Sequence, residues 1–464
     1  MGEASLGTYR QVSGDFVVRV ICVCVSVSLI VSASGAVADA LPDARVRPGM
    51  TIHAGDAELL RGLIPEELAP FTIEKFPQLE MQIVETASYP VHPKYREATE
   101  RFACKARIGE KRELADHVAG EPFPYSEWAK EATRHACDLK PDDPDAGLKI
   151  AWNFDQRWNG GGVDMPHTGQ SFWRAKGDNT WKIGQGQYRR TYFSYRADLL
   201  PETTDLVPDT NVFFAEYSET FDPFDLRGNS FLIYRYRDSH VREDDAWAYV
   251  PTLRRVKRIS ASQKADSVQG TDFTYEDFYL FSGYVWDHDW KLLGDEEVVA
   301  PMDSDRKCFP LNVPGWKPDE FGELGTREQF EECAFGPYRA LPFVGEKWQK
   351  RTAIKLEQRP HRQGHPYSRR ILWIDKETYS PLMAISYDQA GKPFRIGWYI
   401  GRWSENSGIA GDSGRFVNHH AASMVVNLRD NVSNLFLFFS ANSRPIDAAA
   451  TQSYFDTTRL KGGR

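Results

Sequence analysis

The chain has 464 residues and a formal net charge of −8, from 57 Lys and Arg against 65 Asp and Glu. That mild acidity excludes a general nucleic-acid binder, and the length allows one large domain or two ordinary ones.

Residues 1–38 read as a secretory signal. Arg10 and Arg19 precede the apolar run Val20–Val31, and small residues follow up to a cleavage site near Ala38. A dozen apolar residues is too short for a mature spanning helix, although an uncleaved anchor is the alternative. In the exported chain four cysteines remain, Cys104, Cys137, Cys308 and Cys333. An even count in an oxidising compartment predicts disulfides; three connectivities are open, and the sequence-local pairs Cys104–Cys137 and Cys308–Cys333 are expected.

Residues 39–147 are expected to be a helical and irregular segment, with helical spacing in IPEELAPFTIEKF and KYREATERFACKARI. From Leu148 the texture turns to β. LKIAWNF, QYRRTYFSYRAD, NVFFAEYSETF, NSFLIYRYRDS and DDAWAYVP are aromatic and branched, with turn residues between them. Ser368–Trp403 reads as a three-stranded antiparallel meander, followed by the hairpin ASMVVNL–NLFLFFSA. Residues 301–343 form a Cys-containing insertion, 148–445 the main β domain and 446–464 a C-terminal tail.

The fold expectation is therefore mainly β: a strongly curved antiparallel sheet with helices as a lid. The 13 tryptophans and 20 tyrosines suit the lining of a cavity enclosed by such a sheet, and a sandwich core is the alternative use for them.

The segment Trp247–Phe281 draws attention through its charges. Arg254, Arg255 and Arg258 cluster after a strand, and Asp272, Glu276 and Asp277 follow about a dozen residues later. Matched charges predict a structural clamp; a docking edge for a lipid phosphate or an acidic partner is the second use.

Catalytic motifs are weak. GDSG (Gly411–Gly414) lacks the surroundings of a serine protease, and no G-x-S-x-G elbow, Walker loop or H-E-x-x-H is present. His361 and His365 flank a Gly and precede Pro366, so no shared helix face is expected. His419 and His420 would point oppositely on a strand. Asp287, Asp289, Asp295, Glu296 and Glu297 crowd near Trp286 and Trp290; a glycosidase pair among them stays open. No cofactor and no metal is expected.

WAYVPTLRRVKRIS with GTDFTYEDF resembles periplasmic proteins of the LolA-like, outer-membrane lipoprotein-sorting superfamily. AGEPFP, LKIAWNFDQRWNG, FYLFSGYVWDHDWKLLGDEEVVAP and YSRRILWIDKETYSPLMAISYDQAGK are similar to its proteobacterial family called domain of unknown function 1329. The resemblance spans roughly residues 50–440 and departs over Asp303–Lys350. It implies a half-open β-barrel closed by helices, with an apolar interior for acyl chains and no catalytic residues.

The expected function is a periplasmic, non-enzymatic and monomeric carrier of a hydrophobic ligand, serving an inner-membrane transporter or an outer-membrane partner. Alternation places Tyr234, Tyr236, Trp247, Tyr249, Ile354, Leu356, Trp373, Phe394, Ile396, Trp398 and Ile400 on the cavity wall; a one-residue register shift would reverse every assignment. An adaptor subunit of an envelope export complex is the alternative reading, and a periplasmic hydrolase the third.

Overall fold

The computed structural model describes residues 45–69, 80–124, 138–140, 142–174, 182–260, 267–268, 271–306, 326, 329, 346–409, 411–438, 451 and 453–461. The expected signal segment, Cys137, Cys308, Cys333 and nearly all of the 301–343 insertion beyond Arg306 lie outside them. Cys104 sits just past the first helix.

Chain order begins with β1 (Thr51–His53), β2 (Glu80–Ile83), α1 (Pro93–Arg101), β3 (Arg107–Ile108), β4 (Leu114–Ala115) and α2 (Ala146–Asp155). A run of antiparallel neighbours follows: β5 (Gly162–Arg174), β6 (Lys182–Tyr192), β7 (Val212–Asp222), β8 (Ser230–Tyr236), β9 (Asp245–Val250) and β10 (Arg255–Ile259). After a loop come β11 (His288–Ala300) and β12 (Lys347–Pro360), then β13 (Arg369–Asp375), β14 (Pro381–Tyr387), β15 (Pro393–Trp403), β16 (Asn418–Asn427) and β17 (Val432–Phe438).

The meander β12–β17 and the meander β5–β10 are joined by antiparallel pairing of β17 with β5, so the two halves of the chain share one sheet. β11 pairs with β12, and β2 adds a short parallel pairing, which makes the sheet mixed. The described strands run from β1 to β10 without closing into a ring. β10, at one end, carries exposed Arg255 and Lys257, charges that discourage pairing with another chain.

Ile371–Trp403 folds as read, with β13, β14 and β15 at the expected places. LKIAWNF does not: it forms α2, beginning after Asp145. Of the ten residues of α2 only Lys149 and Asp155 escape burial. A helix buried all round shows no polar stripe, so its branched and aromatic residues imitate a strand.

Both faces of the central sheet are covered. On one face Trp373, Met383, Ile396, Trp398, Ile400, Met424 and Leu435 meet the N-terminal residues Val46, Ile52, Leu63, Met81 and Tyr89. On the other, Ile354, Leu356, Leu372, Ile374 and Tyr399 meet α2 and the loop residues Tyr279–Phe281. Farther along this second face, Phe436 and Phe438 of β17 pack with Val163, Tyr188 and Phe273.

Candidate ligand pocket and its buried polar surroundings

The loop 271–282, holding most of the GTDFTYEDF motif, is fixed across the second face by its carboxylates. Asp272 accepts from Asn427 Nδ2 at 2.6 Å and its backbone N–H donates to Asn434 Oδ1 at 3.2 Å. Thr274 and Asp277 form a capping box that starts the short 3-10 turn Tyr275–Leu280. Asp277 then accepts from Arg370 at 2.6 Å and from the Tyr367 hydroxyl at 3.0 Å. Arg370, 1% exposed, also donates to the Leu280 carbonyl at 2.9 Å. A buried guanidinium–carboxylate pair of this kind resists loss of either partner, because the survivor would be an uncompensated charge.

The clamp therefore exists with partners other than those expected. Arg370, Arg395, His288 and His365 answer the acidic trio, with Arg395 Nη2 3.6 Å from Asp272. Arg258 instead pairs with Asp245 on the neighbouring strand, while Arg254 and Arg255 stand exposed. Matched charge along the sequence could not choose between these solutions, since Arg370 and Arg395 arrive from about a hundred residues away.

Under this loop lies an open pocket, about 980 Å3 of empty space counted out to solvent. Strands β5–β8 and β17 form its walls, and Tyr275, Phe278 and Ser282 of the loop, with Val268 before it, complete it. Phe231, Ile233, Tyr275, Phe278, Phe436 and Phe438 supply apolar surface. Polar groups at its wall are already paired: Tyr188 donates to Glu216 at 2.5 Å, Arg190 pairs with the same carboxylate, and Arg235 lies 3.1 Å from Asp244. Gln185 is the exception. The residue is 2% exposed, and neither amide atom has a hydrogen-bond partner among the described residues. Close by, His420 lies among Tyr399 (4.5 Å), Phe438 (4.3 Å) and Tyr279 (4.9 Å), and burial with the charges of Arg157 and Arg190 holds its pKa well below the usual value.

None of the eleven residues expected on the cavity wall lines this pocket. They do not even share a face. Trp373, Ile396, Trp398 and Ile400 lie in the core facing the N-terminal segment, and Ile354 and Leu356 in the opposite core. Phe394 packs at the end of β15 beside Tyr367. Tyr234, Tyr236, Trp247 and Tyr249 surround Phe455 and Leu460 of the chain's own C-terminal segment. With both faces buried, alternation identifies a face and leaves open which face meets the pocket.

The remaining motifs are accounted for locally. Ser413 of GDSG donates to Glu405 at 3.1 Å, while Asp412 lies 2.8 Å from His419 Nε2. Asp289 pairs with His361, Asp295 with Lys376 and Glu296 with Lys355, and Glu297 accepts from Thr352. These carboxylates hold β11 to its neighbours, and none lines the pocket. His288 went unnoticed in the sequence, and His365 was set aside because it lies on no helix. The available signal was position alone: His288 falls twelve residues after Glu276, within the same motif-bearing stretch.

The described residues thus form an unclosed, mainly antiparallel sheet with a loop strapped over one face and a pocket beneath it. The chain belongs to the DUF1329 family of proteins of unknown function, whose family model matches residues 51–461. An uncharacterized protein of Pseudomonas aeruginosa is 24% identical over 371 residues, 76% of this chain and 70% of that one. A domain from Vibrio parahaemolyticus assigned to outer membrane lipoprotein sorting is 18% identical, with 68% of this chain and 99% of that one covered and a TM-score of 0.44. A LolA superfamily protein from Nitrosomonas europaea is 12% identical, with coverage of 68% and 98% and a TM-score of 0.37. No helix among the described residues is long and apolar enough to cross a membrane.

Proposed function

We propose that this protein carries a hydrophobic ligand, an acyl chain or a related lipid tail, in the pocket beneath the 271–282 loop. It acts in the periplasm after removal of residues 1–38, by sequestration. The pocket itself carries this reading. Its aromatic surface suits methylenes, each worth about 0.8 kcal/mol on burial, so a chain of a dozen methylenes needs few polar contacts. The Gln185 amide, buried and unpaired, offers a donor and an acceptor to the ester or amide at the head of such a chain. In that compartment Cys104–Cys137 and Cys308–Cys333 would close as disulfides.

Native mass spectrometry of the protein purified from its own periplasm, followed by organic extraction, tests the reading. A lipid released on denaturation supports it. So does displacement of a fluorescent C12 fatty acid by that lipid, weakened at least tenfold in Phe436→Asp. A clean mass and no uptake of the fluorescent acid would sink it.

One observation favours a second reading. Arg255 and Lys257 of the terminal strand β10 and Arg254 just before it are exposed together, a basic edge that an acidic surface of a transporter could meet. Under that reading Arg255→Glu abolishes capture by the envelope complex while the pocket takes up no lipid.

A further inference from the structure

Three metal-ligating side chains converge on the rear of the loop that covers the pocket. Glu276 comes from the 3-10 turn, His288 from the first residue of β11 and His365 from the connection between β12 and β13. All three are buried, and their ligand atoms lie within 4.8 Å of one another. Glu276 Oε1 is 3.4 Å from His288 Nε2, and Oε2 is 3.1 Å from His365 Nε2. Ligands around a Zn2+ ion at about 2.0–2.1 Å stand on the order of 3.3 Å apart, so this spacing needs little adjustment.

The hydrogen bonds behind the rings bear on what lies between them. His288 Nδ1 is 2.7 Å from the Tyr284 carbonyl, a contact that places a proton on Nδ1 and turns Nε2 toward Glu276. It faces Glu276 Oε1, a buried carboxylate oxygen 3.4 Å away that has no closer partner among the described residues. A buried carboxylate held between two imidazoles in a dry site requires a positive charge, which a proton or a metal ion can supply. His365 Nδ1 lies 3.3 Å from the Tyr367 carbonyl and 3.0 Å from the Tyr367 backbone N–H. Because that N–H donates to Nδ1, the ring proton sits on Nε2 facing Glu276 Oε2 in the ion-free arrangement, and an ion taking Nε2 as a second ligand would shift the proton to Nδ1, against the carbonyl. A backbone carbonyl that holds the far nitrogen of the ring, as Tyr284 holds His288, is the usual outer support of a metal-bound histidine. Phe281 and Trp290, 5.1 and 6.1 Å from the His288 ring, make the surroundings apolar.

We propose that Glu276, His288 and His365 bind one divalent transition-metal ion. Two imidazoles and one carboxylate select the Zn2+, Co2+ and Ni2+ class over Ca2+ and Mg2+, which prefer oxygen alone. The ion ties three segments distant in sequence, and it holds the turn whose neighbours Tyr275, Phe278 and Ser282 face the pocket. The proposal does not depend on what the pocket carries.

The test uses untagged full-length exported protein, dialysed against a chelator and titrated with ZnCl2 or CoCl2 alone. One equivalent should bind, and the Co2+ form should show visible d–d bands of mixed nitrogen and oxygen ligation. Glu276→Gln and His288→Ala should each weaken uptake at least 100-fold, whereas His361→Ala, a half-exposed histidine outside the cluster, should bind as the parent does. If a variant fails to fold, the Co2+ spectrum of the parent still reads the ligands. Absence of stoichiometric uptake by the folded parent, or variants that bind as tightly as it does, would overturn the proposal and leave a shared proton as the charge between the two groups.

Discussion

His420 shows how burial converts one side chain into a pH response. Burial and the charges of Arg157 and Arg190 depress its folded pKa well below the usual value near 6.5. Between those two values the unfolded chain takes up a proton that the folded chain refuses. Its contribution to stability is therefore complete above about pH 6.5 and falls as pH drops, by up to about 1.4 kcal/mol per pH unit. His117, pushed down to about 3 by burial, acts with the same sign, so the informative quantity is a difference between variants. His420→Phe keeps a ring among Tyr279, Tyr399 and Phe438 and removes the proton acceptor. Urea unfolding at pH 7.5, 6.5 and 5.5 should show the parent losing stability faster than the variant as pH falls. Parallel losses would mean that His420 does not titrate in this way. None of this could be read from the sequence, where His420 was merely one of two adjacent histidines.

Among elements, the central meander was the most legible because its turns, DKET and DQAGK, are local and its strands are separated by them. β15 was read correctly as a strand with two glycines, yet the reason for them is tertiary. A methyl at Gly397 would meet the Leu280 Cδ2 atom at 2.8 Å, the end of a side chain able to move. A methyl at Gly401 would meet Asn418 Oδ1 and, at 2.6 Å, the backbone carbonyl of Met302. Backbone cannot yield without disturbing the Gly401 N–H bond to Pro301 and the Ser304 N–H bond to Gly401. Gly401→Ala should therefore cost about 2–4 kcal/mol and Gly397→Ala under about 1.5 kcal/mol. Chemical denaturation of the two variants would check the order, and equal costs would refute the close-approach argument. α2 was misread for the opposite reason: its pattern was lost by burial on all sides, and sequence periodicity needs a solvent side to be visible.

For the molecule as a whole, the tail turned out to be a wall. Residues 446–464 read as a C-terminal tail, with only Ile446, Tyr454, Phe455 and Leu460 apolar beyond the alanines. Yet Phe455 and Leu460 are each 1% exposed and sit among Phe193, Tyr217, Leu232 and Tyr236. Tyr234 donates its hydroxyl to the Phe455 carbonyl, and Ser230 donates to the Leu460 carbonyl at 3.2 Å. Arg459 lies over the Tyr454 ring at 3.7 Å. The outer strands β6–β9 thus bury one face against a segment that enters the sequence some two hundred residues later. Two apolar side chains fully buried are worth about 3–6 kcal/mol together, before the ordering of their segment is subtracted. A chain ending at residue 450 should therefore unfold at lower denaturant, and its exposed aromatic face should bind an apolar dye that the full chain ignores. Of the residues lining the pocket beneath the 271–282 loop, Gln187 is bonded by Tyr454, at 3.3 Å, and the aromatic lining lies elsewhere, so uptake of the C12 fatty acid should survive at denaturant concentrations where the shortened chain stays folded. A shortened chain with an unchanged midpoint would show that the C-terminal segment rests on the sheet without holding it. A folded one that loses fatty-acid uptake would place the binding surface on the wrong part of the sheet.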